Sequence, residues 1–435
     1  MDKNITNQYQ HLTKEFLAGG VHYNFQNPFE VQRIHFREGK GTRIYDLDGN
    51  EYIDFFCKFG ANILGHNYES YILELQNALQ YVTATSLAYN EYEVSRKICE
   101  LIPSAERVRY CLSGTEAVQN AIRLARAYTG REKFLRFNMH YHGSADNIMG
   151  GISDDIANPI PHPFHGDTRG TQGRASDILG SQSYLIDWND EEKLENLLKE
   201  KGNEIAAIIT EPICVNGQVK FSKAGYLEKV RSLCIKYNIL LIFDEVITGF
   251  RVSLGGAQKY LGVTPDITVL GKALAGGTLP LSAIVGKKDI MDLYARSKVV
   301  HANTFNGYTL GLAAAKATLE ILSGNEDVYN SMEMQFKKIT DVFRQEGKKY
   351  NFEINILGHP TCSAYDCVSW GDSNQFDSKT LNMILSRAML EDGILLSNTT
   401  TFYSNISITD DDIELFKNRL PNVFNSAVAK IEKLK

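Results

Sequence analysis

The chain of 435 residues is 43% hydrophobic and 23% charged, a composition typical of a globular protein with a large core. Its length predicts two or three domains, or one large α/β domain with a smaller one attached. The formal net charge of −6 and the pI of about 6.0 indicate no basic field for nucleic acid or for an anionic membrane. We therefore expect neither as a partner.

The cysteines and the N-terminal segment favour a cytoplasmic protein. The seven cysteines are odd in number and form no C-x-x-C pair, which favours reduced thiols over a disulfide framework or a zinc site. Segment 1–15 is polar and lacks the apolar stretch of a secretory signal. No run of consecutive apolar residues approaches the roughly 20 that a membrane-spanning helix requires.

Helix and strand patterns alternate along the chain. A helix is predicted over 4–17, and 42–56 resembles a β-hairpin that turns at Asp48-Gly49-Asn50. The strand at 239–243 (ILLIF) is apolar at every position, as expected for a parallel strand covered on both faces. This alternation predicts an α/β fold with a mainly parallel central sheet flanked by helices. The other predicted strands are 107–112, 133–137, 205–210, 267–270 and 283–285, and the other predicted helices are 117–128, 224–237 and 312–322.

The same patterns predict a division into domains. We expect a large domain over 57–311 and a smaller α+β domain built from the segments 1–56 and 312–435. The segment 150–180, rich in Gly, Pro, His and Asp, is interpreted as a long loop near the functional site. Its His162, His165 and Asp167 lack the spacing of a helical metal motif, so we expect no bound metal.

Four features follow predicted strands, and open α/β sheets bind ligands beyond the carboxyl ends of their strands. The first is Ser113-Gly114-Thr115, between a strand and a helix. Its two hydroxyls, its glycine and the free amides of a helix N-terminus can hold a phosphate. Ordinary helix capping by Ser113 or Thr115 explains the motif equally, and for this motif alone it is the favoured reading.

The other three features are an acid, an amine and an aromatic ring. Asp244 follows the ILLIF strand, where it can bind a metal, act as a base or pair with a cationic ring nitrogen; a solvated strand end is the alternative. Lys272 follows a strand by one glycine and becomes a nucleophilic amine if it is partly removed from water. An arbitrary loop lysine is more often a plain surface residue. Tyr141, beside His142, can stack on a planar ligand, although core packing explains a lone tyrosine as well.

Taken together, these features are more specific than each is alone. A phosphate anchor, a carboxylate, an amine and an aromatic face at one sheet edge are the four parts that pyridoxal phosphate (PLP) requires. The glycine motifs of nicotinamide and nucleotide sites do not occur after the expected strands.

The motifs also resemble a known family. They are similar to those of the class III aminotransferases among the fold-type I PLP enzymes, and within that class to the glutamate-1-semialdehyde 2,1-aminomutase branch. The resemblance spans nearly the whole chain, and the 28-residue interval from Asp244 to Lys272 (272 − 244) suits the family. The matching motifs are SGTEA (113–117), YHG (141–143), EP…NG (211–217), IFDEVITGFR (242–251), GKALAGGTLP (271–280) and HANTFNG (301–307).

The resemblance implies a role for each matching residue. Lys272 would form a Schiff base with PLP and later shuttle a proton, and Asp244 would keep the pyridine nitrogen protonated. Tyr141 would stack on the ring, with Val246 packed behind it. Thr304 would reach the phosphate in a neighbouring subunit, which implies a homodimer. The remaining implied cofactor residues are Ser113, Gly114 and Thr115 at the phosphate, His142 beside the ring, and Glu211 and Asn216 on the hydroxyl side.

The predicted activity is transfer of an amino group from a small-molecule donor to a keto or aldehyde acceptor. Intramolecular transfer of the glutamate-1-semialdehyde aminomutase type is the alternative. A racemase and a non-catalytic cofactor-binding protein are further readings of the same scaffold.

Departures from the aminomutase pattern bear on the substrate. Gln26 stands where the aminomutase has an arginine associated with the substrate carboxylate, and 398–404 is neutral where an acidic residue is expected. Gly307 is followed by Tyr-Thr in place of the usual Asn-Pro. Arg387 and Arg419 lie in no convincing carboxylate motif. These departures favour a larger, less acidic acceptor, such as a keto group on a biosynthetic intermediate or a carrier-bound thioester.

Overall fold

A computed structural model describes residues 4–22, 34–82, 87–149, 181–325, 327–371, 375–397 and 400–434. The chain divides into two compact units. The terminal unit comprises Met1–Glu69 and Glu326–Lys435, and the central unit comprises Ser70–Asn325. The functional boundaries at 57 and 312 stay a prediction.

Strands and helices are numbered here in chain order. The strands are β1 (Phe36–Lys40), β2 (Arg43–Asp46), β3 (Glu51–Asp54), β4 (Arg107–Cys111), β5 (Lys133–Phe137), β6 (Ser183–Ile186), β7 (Ile205–Thr210), β8 (Leu240–Glu245), β9 (Ile267–Leu270), β10 (Ser282–Gly286), β11 (Phe352–His359), β12 (Cys362–Trp370), β13 (Ile394–Leu395) and β14 (Thr401–Tyr403). The helices are α1 (Asn4–Phe16), α2 (Glu69–Ala78), α3 (Glu91–Leu101), α4 (Gly114–Thr129), α5 (Glu191–Lys201), α6 (Tyr226–Tyr237), α7 (Gly256–Leu261), α8 (Lys288–Ala295), α9 (Thr309–Ser323), α10 (Val328–Lys349), α11 (Ser378–Glu391) and α12 (Asp410–Glu432).

A seven-stranded sheet forms the middle of the central unit, in the order β4-β10-β9-β8-β7-β5-β6. Strand β10 runs antiparallel to both of its neighbours, while the pairs from β9 to β6 are all parallel. The prediction of a mainly parallel sheet flanked by helices is therefore confirmed. Because β4 and β9 are both antiparallel to β10, the carboxyl ends of all strands except β10 lie at one edge.

Hydrophobic side chains cover the sheet on both faces. In β8, Ile242 packs into a cluster with residues of α4 and α8, while Leu241 and Phe243 pack into a second cluster with residues of α5 and α6. Every position of β7 and β8 is buried. This is why 239–243 is apolar throughout instead of alternating.

Most predicted elements of this sheet lie within a few residues of the observed ones. The main difference is that β8 continues through Asp244 and Glu245, so both acids belong to the strand. The sequence prediction missed the edge strand β6, which has only four residues. The predicted loop at 150–180 lies outside the described residues.

The terminal unit contains two smaller sheets. The predicted hairpin is confirmed as β2 and β3, and β13 joins β3 in parallel. Strands β11, β12 and β14 form the second sheet, and aromatic residues such as Phe343, Phe402 and Phe424 fill the core between helices and strands. Helix α12 begins with a capping box between Thr409 and Asp412. None of the described helices is long and apolar enough to cross a membrane.

Asp266 connects several elements of the central unit. Its carboxylate accepts hydrogen bonds from Arg231 at 2.6 and 3.0 Å, from Lys287 at 2.8 Å and from the Leu241 amide at 2.9 Å. Burial raises the pKa of Asp266, but these donors outweigh burial and lower it below the ordinary value of 3.8.

We expect Asp266→Asn to lower the free energy of unfolding at neutral pH. The loss should be about 2 kcal/mol, below the ~3–5 kcal/mol of fully buried pairs, because Arg231 and Lys287 are partly exposed. Since the folded-state pKa is lowered, the carboxylate's contribution is complete above pH 3.8 and disappears as the pH falls through the folded-state value. Urea unfolding of both proteins over a range of pH measures this loss, and Glu200→Gln, at an exposed position, is the control. The prediction would be contradicted if the difference in the free energy of unfolding between the variant and the natural protein grew as the pH fell.

Candidate active site

The carboxyl edge of the seven-stranded sheet carries most of the candidate residues. Strands β4, β5, β7, β8 and β9 all end there, so the loops that follow them converge. The residues that they bring to this edge are Ser113 to Thr115 after β4, Tyr141 and His142 after β5, Glu211 after β7, Asp244 within the end of β8, and Lys272 after β9.

Asp244 and His142 form a buried pair. Asp244 is 5% exposed, which rules out a solvated strand end, and His142 is 3% exposed. Asp244 Oδ2 lies 2.8 Å from His142 Nδ1, and Asp244 Oδ1 accepts a hydrogen bond from the Val246 amide at 3.1 Å. An ionised carboxylate can only accept hydrogen bonds, so Nδ1 of His142 carries the proton. The pair fixes the orientation of the carboxylate.

Glu211 connects the loops that follow β5 and β7. Its Oε1 accepts hydrogen bonds from the Tyr141 amide at 2.7 Å and from Asn216 Nδ2 at 2.8 Å, and its Oε2 accepts one from the Val215 amide at 2.9 Å. Burial raises the pKa of Glu211 against these hydrogen bonds. Glu211 and Asn216 therefore hold in place the backbone that carries Tyr141.

Lys272 has an unusual backbone conformation and an unusual charge state. Its φ is +43°, a left-handed value that costs a side-chain-bearing residue about 1–2 kcal/mol. Burial lowers the pKa of its amine from 10.5 to about 8, although the charges of Asp244 and Glu211 oppose this shift. Among the described residues, the amine takes part in no hydrogen bond or ion pair. Near pH 8 it is about half deprotonated and nucleophilic.

The Ser113–Thr115 turn begins helix α4. Ser113 is the N-cap and accepts a hydrogen bond from the Glu116 amide at 3.3 Å, so the capping explanation is correct for this residue. Thr115 Oγ1 accepts one from the Ser144 amide at 3.2 Å. The first amides of a helix have no acceptor within the helix, and its dipole favours an anion there. Capping and anion binding are therefore compatible at this turn.

Val246 lies between two glycines of the site. A Cβ atom on Gly114 would lie 3.2 Å from Val246, and one on Gly271 would lie 3.3 Å from it. Both contacts are tighter than usual, so the glycines permit the turn after β4 and the approach to Lys272 to pack on the same side chain. Val246 is thus part of the wall at this edge.

Glu245 has a structural role, unlike its neighbour Asp244. Its fully buried carboxylate accepts hydrogen bonds from Thr248 Oγ1 at 2.9 Å, from Gln258 at 2.9 and 3.1 Å and from the Ala257 amide. Adjacent residues of a strand point to opposite faces, which sends the two acids to different partners. Nothing local in the sequence distinguishes them.

Thr304 is the candidate residue that the resemblance assigns to a neighbouring subunit. It is exposed in the segment before α9, and it lines a groove of about 810 Å³ together with Arg109, His301 and Tyr308. Its predicted contact with a neighbouring subunit stays a prediction.

The two C-terminal arginines are engaged elsewhere in the terminal unit. Arg419 donates hydrogen bonds to the carbonyl oxygens of Gly393 at 2.8 Å and Glu51 at 3.2 Å, and Arg387 pairs with Glu391 at 3.7 Å. These contacts agree with the absence of a carboxylate-binding motif around either residue.

Some sequence-based expectations cannot be compared with the structure. Gln26, the histidines of 150–180 and residues 398–399 lie outside the described residues. Within the described ranges, no group of three or more His, Cys, Asp or Glu side chains is arranged to hold a metal ion.

The residues at the sheet edge fit PLP. A helix N-terminus with two hydroxyls suits a phosphate dianion, a buried and oriented carboxylate suits a pyridinium nitrogen, and an amine of lowered pKa suits a carbonyl carbon. The sequence reasoning named these residues but missed the contact between His142 and Asp244, for which a separation of 102 residues offers no local signal.

Comparison with known proteins identifies the family of the chain. The sequence profile of the class-III aminotransferases matches residues 26–424. The chain is 39% identical to the glutamate-1-semialdehyde 2,1-aminomutase of Syntrophobacter fumaroxidans over 331 residues, covering 75% of this chain and 74% of the relative. It is 35% identical to the enzyme of that name from Thermosipho melanesiensis, covering 92% and 95%.

Solved structures of PLP-dependent enzymes share the fold. A solved transaminase with PLP bound superimposes with a TM-score of 0.87 at 22% identity, covering 99% of each chain. At that identity, the likeness supports the fold alone. With the profile match spanning most of the sequence, the chain belongs to the class-III aminotransferases, a family of PLP-dependent enzymes.

Proposed function

We propose that this enzyme moves an amino group from a small-molecule donor to a keto or aldehyde acceptor, with Lys272 as the residue that binds PLP. The observation that carries the proposal is the partly buried Lys272 amine, whose pKa is lowered to about 8 beside Asp244 and Glu211. When bound, PLP supplies an electron sink for the carbon next to the substrate amine. The chain's own residues then hold the cofactor and move protons.

Asp244 is proposed to bind the pyridine nitrogen. Its carboxylate is buried and is oriented by His142 Nδ1 and the Val246 amide, so it presents a fixed negative charge in a site from which water is largely excluded. A charge placed before the reaction needs no reorganisation when the ring becomes electron-rich. Asp244 therefore holds the ring proton in place.

The turn after β4 is proposed to bind the phosphate. Ser113, Gly114 and Thr115 supply two hydroxyls and the free amides at the start of α4. Tyr141 is proposed to cover the ring, because Glu211 fixes its backbone amide and burial raises its pKa, which keeps its hydroxyl neutral. Asn216 supports this arrangement through Glu211.

Lys272 is proposed to act twice. As a neutral amine it binds the cofactor, and after the substrate amine replaces it, Nζ is free to accept a proton from the substrate carbon. A pKa of about 8 suits both steps, because the amine then accepts and returns a proton near neutral pH.

A second candidate is intramolecular amino transfer of the aminomutase type. It is favoured by relatives at 35% and 39% identity that carry the name glutamate-1-semialdehyde 2,1-aminomutase. Gln26 and the neutral segment 398–404, which depart from that branch, favour an intermolecular reaction with a less acidic acceptor. We keep the intermolecular reaction as the primary proposal.

A homodimer is proposed as the working form, and a carrier-bound acceptor is one possible substrate class. Thr304 lies in an exposed segment beside apolar side chains that include Val300 at 70% and Phe305 at 60% exposure. A second copy of the chain would cover this surface and receive Thr304 at its phosphate site.

In the cofactor-free enzyme, we expect the Lys272 amine to be acylated with a midpoint near pH 8. Burial destabilises the ammonium ion, so the proton leaves at a lower pH than the ordinary 10.5. Asp244→Asn removes a charge that favours the ammonium ion and should lower the midpoint further. Competitive acetylation followed by mass spectrometry measures this, with exposed Lys199 as the internal control. An acylation midpoint near pH 10.5 would contradict the lowered pKa of Lys272 on which the proposal rests.

Asp244→Asn is expected to retain PLP but to reduce the turnover number by roughly 100-fold or more, since a neutral amide cannot hold the ring proton. The measurement is turnover with a donor that the natural enzyme accepts, together with thermal unfolding of both proteins. Unchanged turnover would be inconsistent with the proposed role. Glu245→Gln is the matched control for structural damage, and it should mainly lower the melting temperature, because Glu245 bonds Thr248 and residues of α7.

A single-substrate assay should separate the two candidate reactions. An intermolecular enzyme, given only an amino donor, releases one equivalent of carbonyl product and then stops until an acceptor is added. Repeated conversion of glutamate-1-semialdehyde without a donor would instead establish the aminomutase reaction. Lys272→Ala is the control and should turn over neither substrate. If no amino donor changed the absorption spectrum of the PLP-bound enzyme, both candidate reactions would be excluded.

A further inference from the structure

Three ring nitrogens behind Asp244 are buried without a hydrogen-bond partner. They are His140 Nε2, His142 Nε2 and Trp188 Nε1, and no described residue pairs with any of them. His140 and His142 are 6% and 3% exposed. The His140 ring centroid lies 5.0 Å from that of Trp188 and 5.9 Å from that of His142. Since buried polar atoms are almost always hydrogen-bonded, each of these three nitrogens calls for a partner that the described residues do not supply.

The protonation of each ring follows from its other contacts. His140 Nδ1 accepts a hydrogen bond from the Glu211 amide at 3.0 Å, so the proton of the neutral ring is on Nε2. Burial keeps the pKa of His140 well below its usual value, which leaves the ring neutral. His142 lies with Nδ1 2.8 Å from Asp244, and in the neutral tautomer that donates from Nδ1 its Nε2 is an acceptor. The Trp188 indole nitrogen can only donate.

The set therefore consists of two donors and one acceptor. A water molecule complements it, because water accepts two hydrogen bonds and donates up to two, and buried waters typically make about three. A cation would meet only one acceptor, and an anion would meet the lone pair of His142. Ring separations of 5.0 and 5.9 Å are compatible with one bridging molecule.

We propose that His140, His142 and Trp188 bind one ordered water molecule on the far side of the His142–Asp244 pair. The water donates to His142 Nε2, which keeps the histidine proton on Nδ1, where it is shared with Asp244. His140 and Trp188 are thus positioning residues for Asp244 and act through the water and His142. This site goes beyond the proposed function and does not depend on the identity of the substrate.

The two tryptophans of the chain allow a direct test. Trp370 Nε1 donates to the Tyr350 carbonyl oxygen at 3.1 Å, whereas Trp188 Nε1 has no protein partner among the described residues. In enzyme labelled with ¹⁵N-indole, with and without PLP, the Trp188 N–H should give a cross-peak to long-lived bound water, and the Trp370 N–H should not. Trp188→Phe assigns the signal. A Trp188 indole without a water cross-peak in either form would overturn the proposal.

A second measurement tests the connection to Asp244. In ¹⁵N-histidine-labelled holoenzyme, Nε2 of His142 should resonate as a hydrogen-bonded acceptor, with Nδ1 protonated. Trp188→Phe removes one ligand of the water and should move this resonance towards that of an unbonded ring nitrogen, while Trp370→Phe should leave it unchanged. An identical His142 spectrum in both variants would show that Trp188 does not act through the water. Because apoenzyme suffices for the indole test, its failure is distinct from failure of the amino-transfer proposal.

Discussion

Removal of the Lys272 amine from water is the constraint on which the rest of the site depends. Burial disfavours the ammonium ion, and the buried charges of Asp244 and Glu211 limit that effect, so the pKa settles at about 8. Stronger burial without the carboxylates would leave a permanently neutral amine, and an exposed lysine would stay protonated at neutral pH. The lysine, the two acids and the groups that hold them therefore form one electrostatic unit.

Three buried carboxylates near the sheet edge have different roles because their hydrogen-bond partners differ. Asp244 is oriented by His142, Glu211 bonds the backbone and side chain around Tyr141 and Asn216, and Glu245 secures the loop that leads into α7. All three avoid the cost of an unpartnered buried charge. Asp244 and Glu211 both act on the charge of Lys272, but the Glu211 oxygens are bonded to the Tyr141 and Val215 amides and to Asn216, so Asp244 is the proposed partner for a cationic ring.

Much of the central sheet was predictable from sequence, because parallel strands buried on both faces leave continuous apolar runs such as 239–243. Strand β6 was missed because four residues at a sheet edge carry too little pattern. The end of β8 was also misplaced: the prediction stopped at the last apolar residue, whereas pairing with β9 continues through Asp244 and Glu245. A charged residue inside a strand is stable there only when tertiary contacts supply its partners.

Sequence patterns predicted most strands and helices of the central unit, the residue types that follow them, and, through the motifs, the family and its cofactor. Tertiary contacts, in contrast, select which of two adjacent acids meets His142, lower the pKa of Lys272, and place the His140 ring beside those of His142 and Trp188. The two kinds of prediction differ because the underlying interactions act over different distances along the chain. Periodicity and turn chemistry act between near neighbours in the chain, whereas hydrogen bonds at this edge join residues 102 and 169 positions apart.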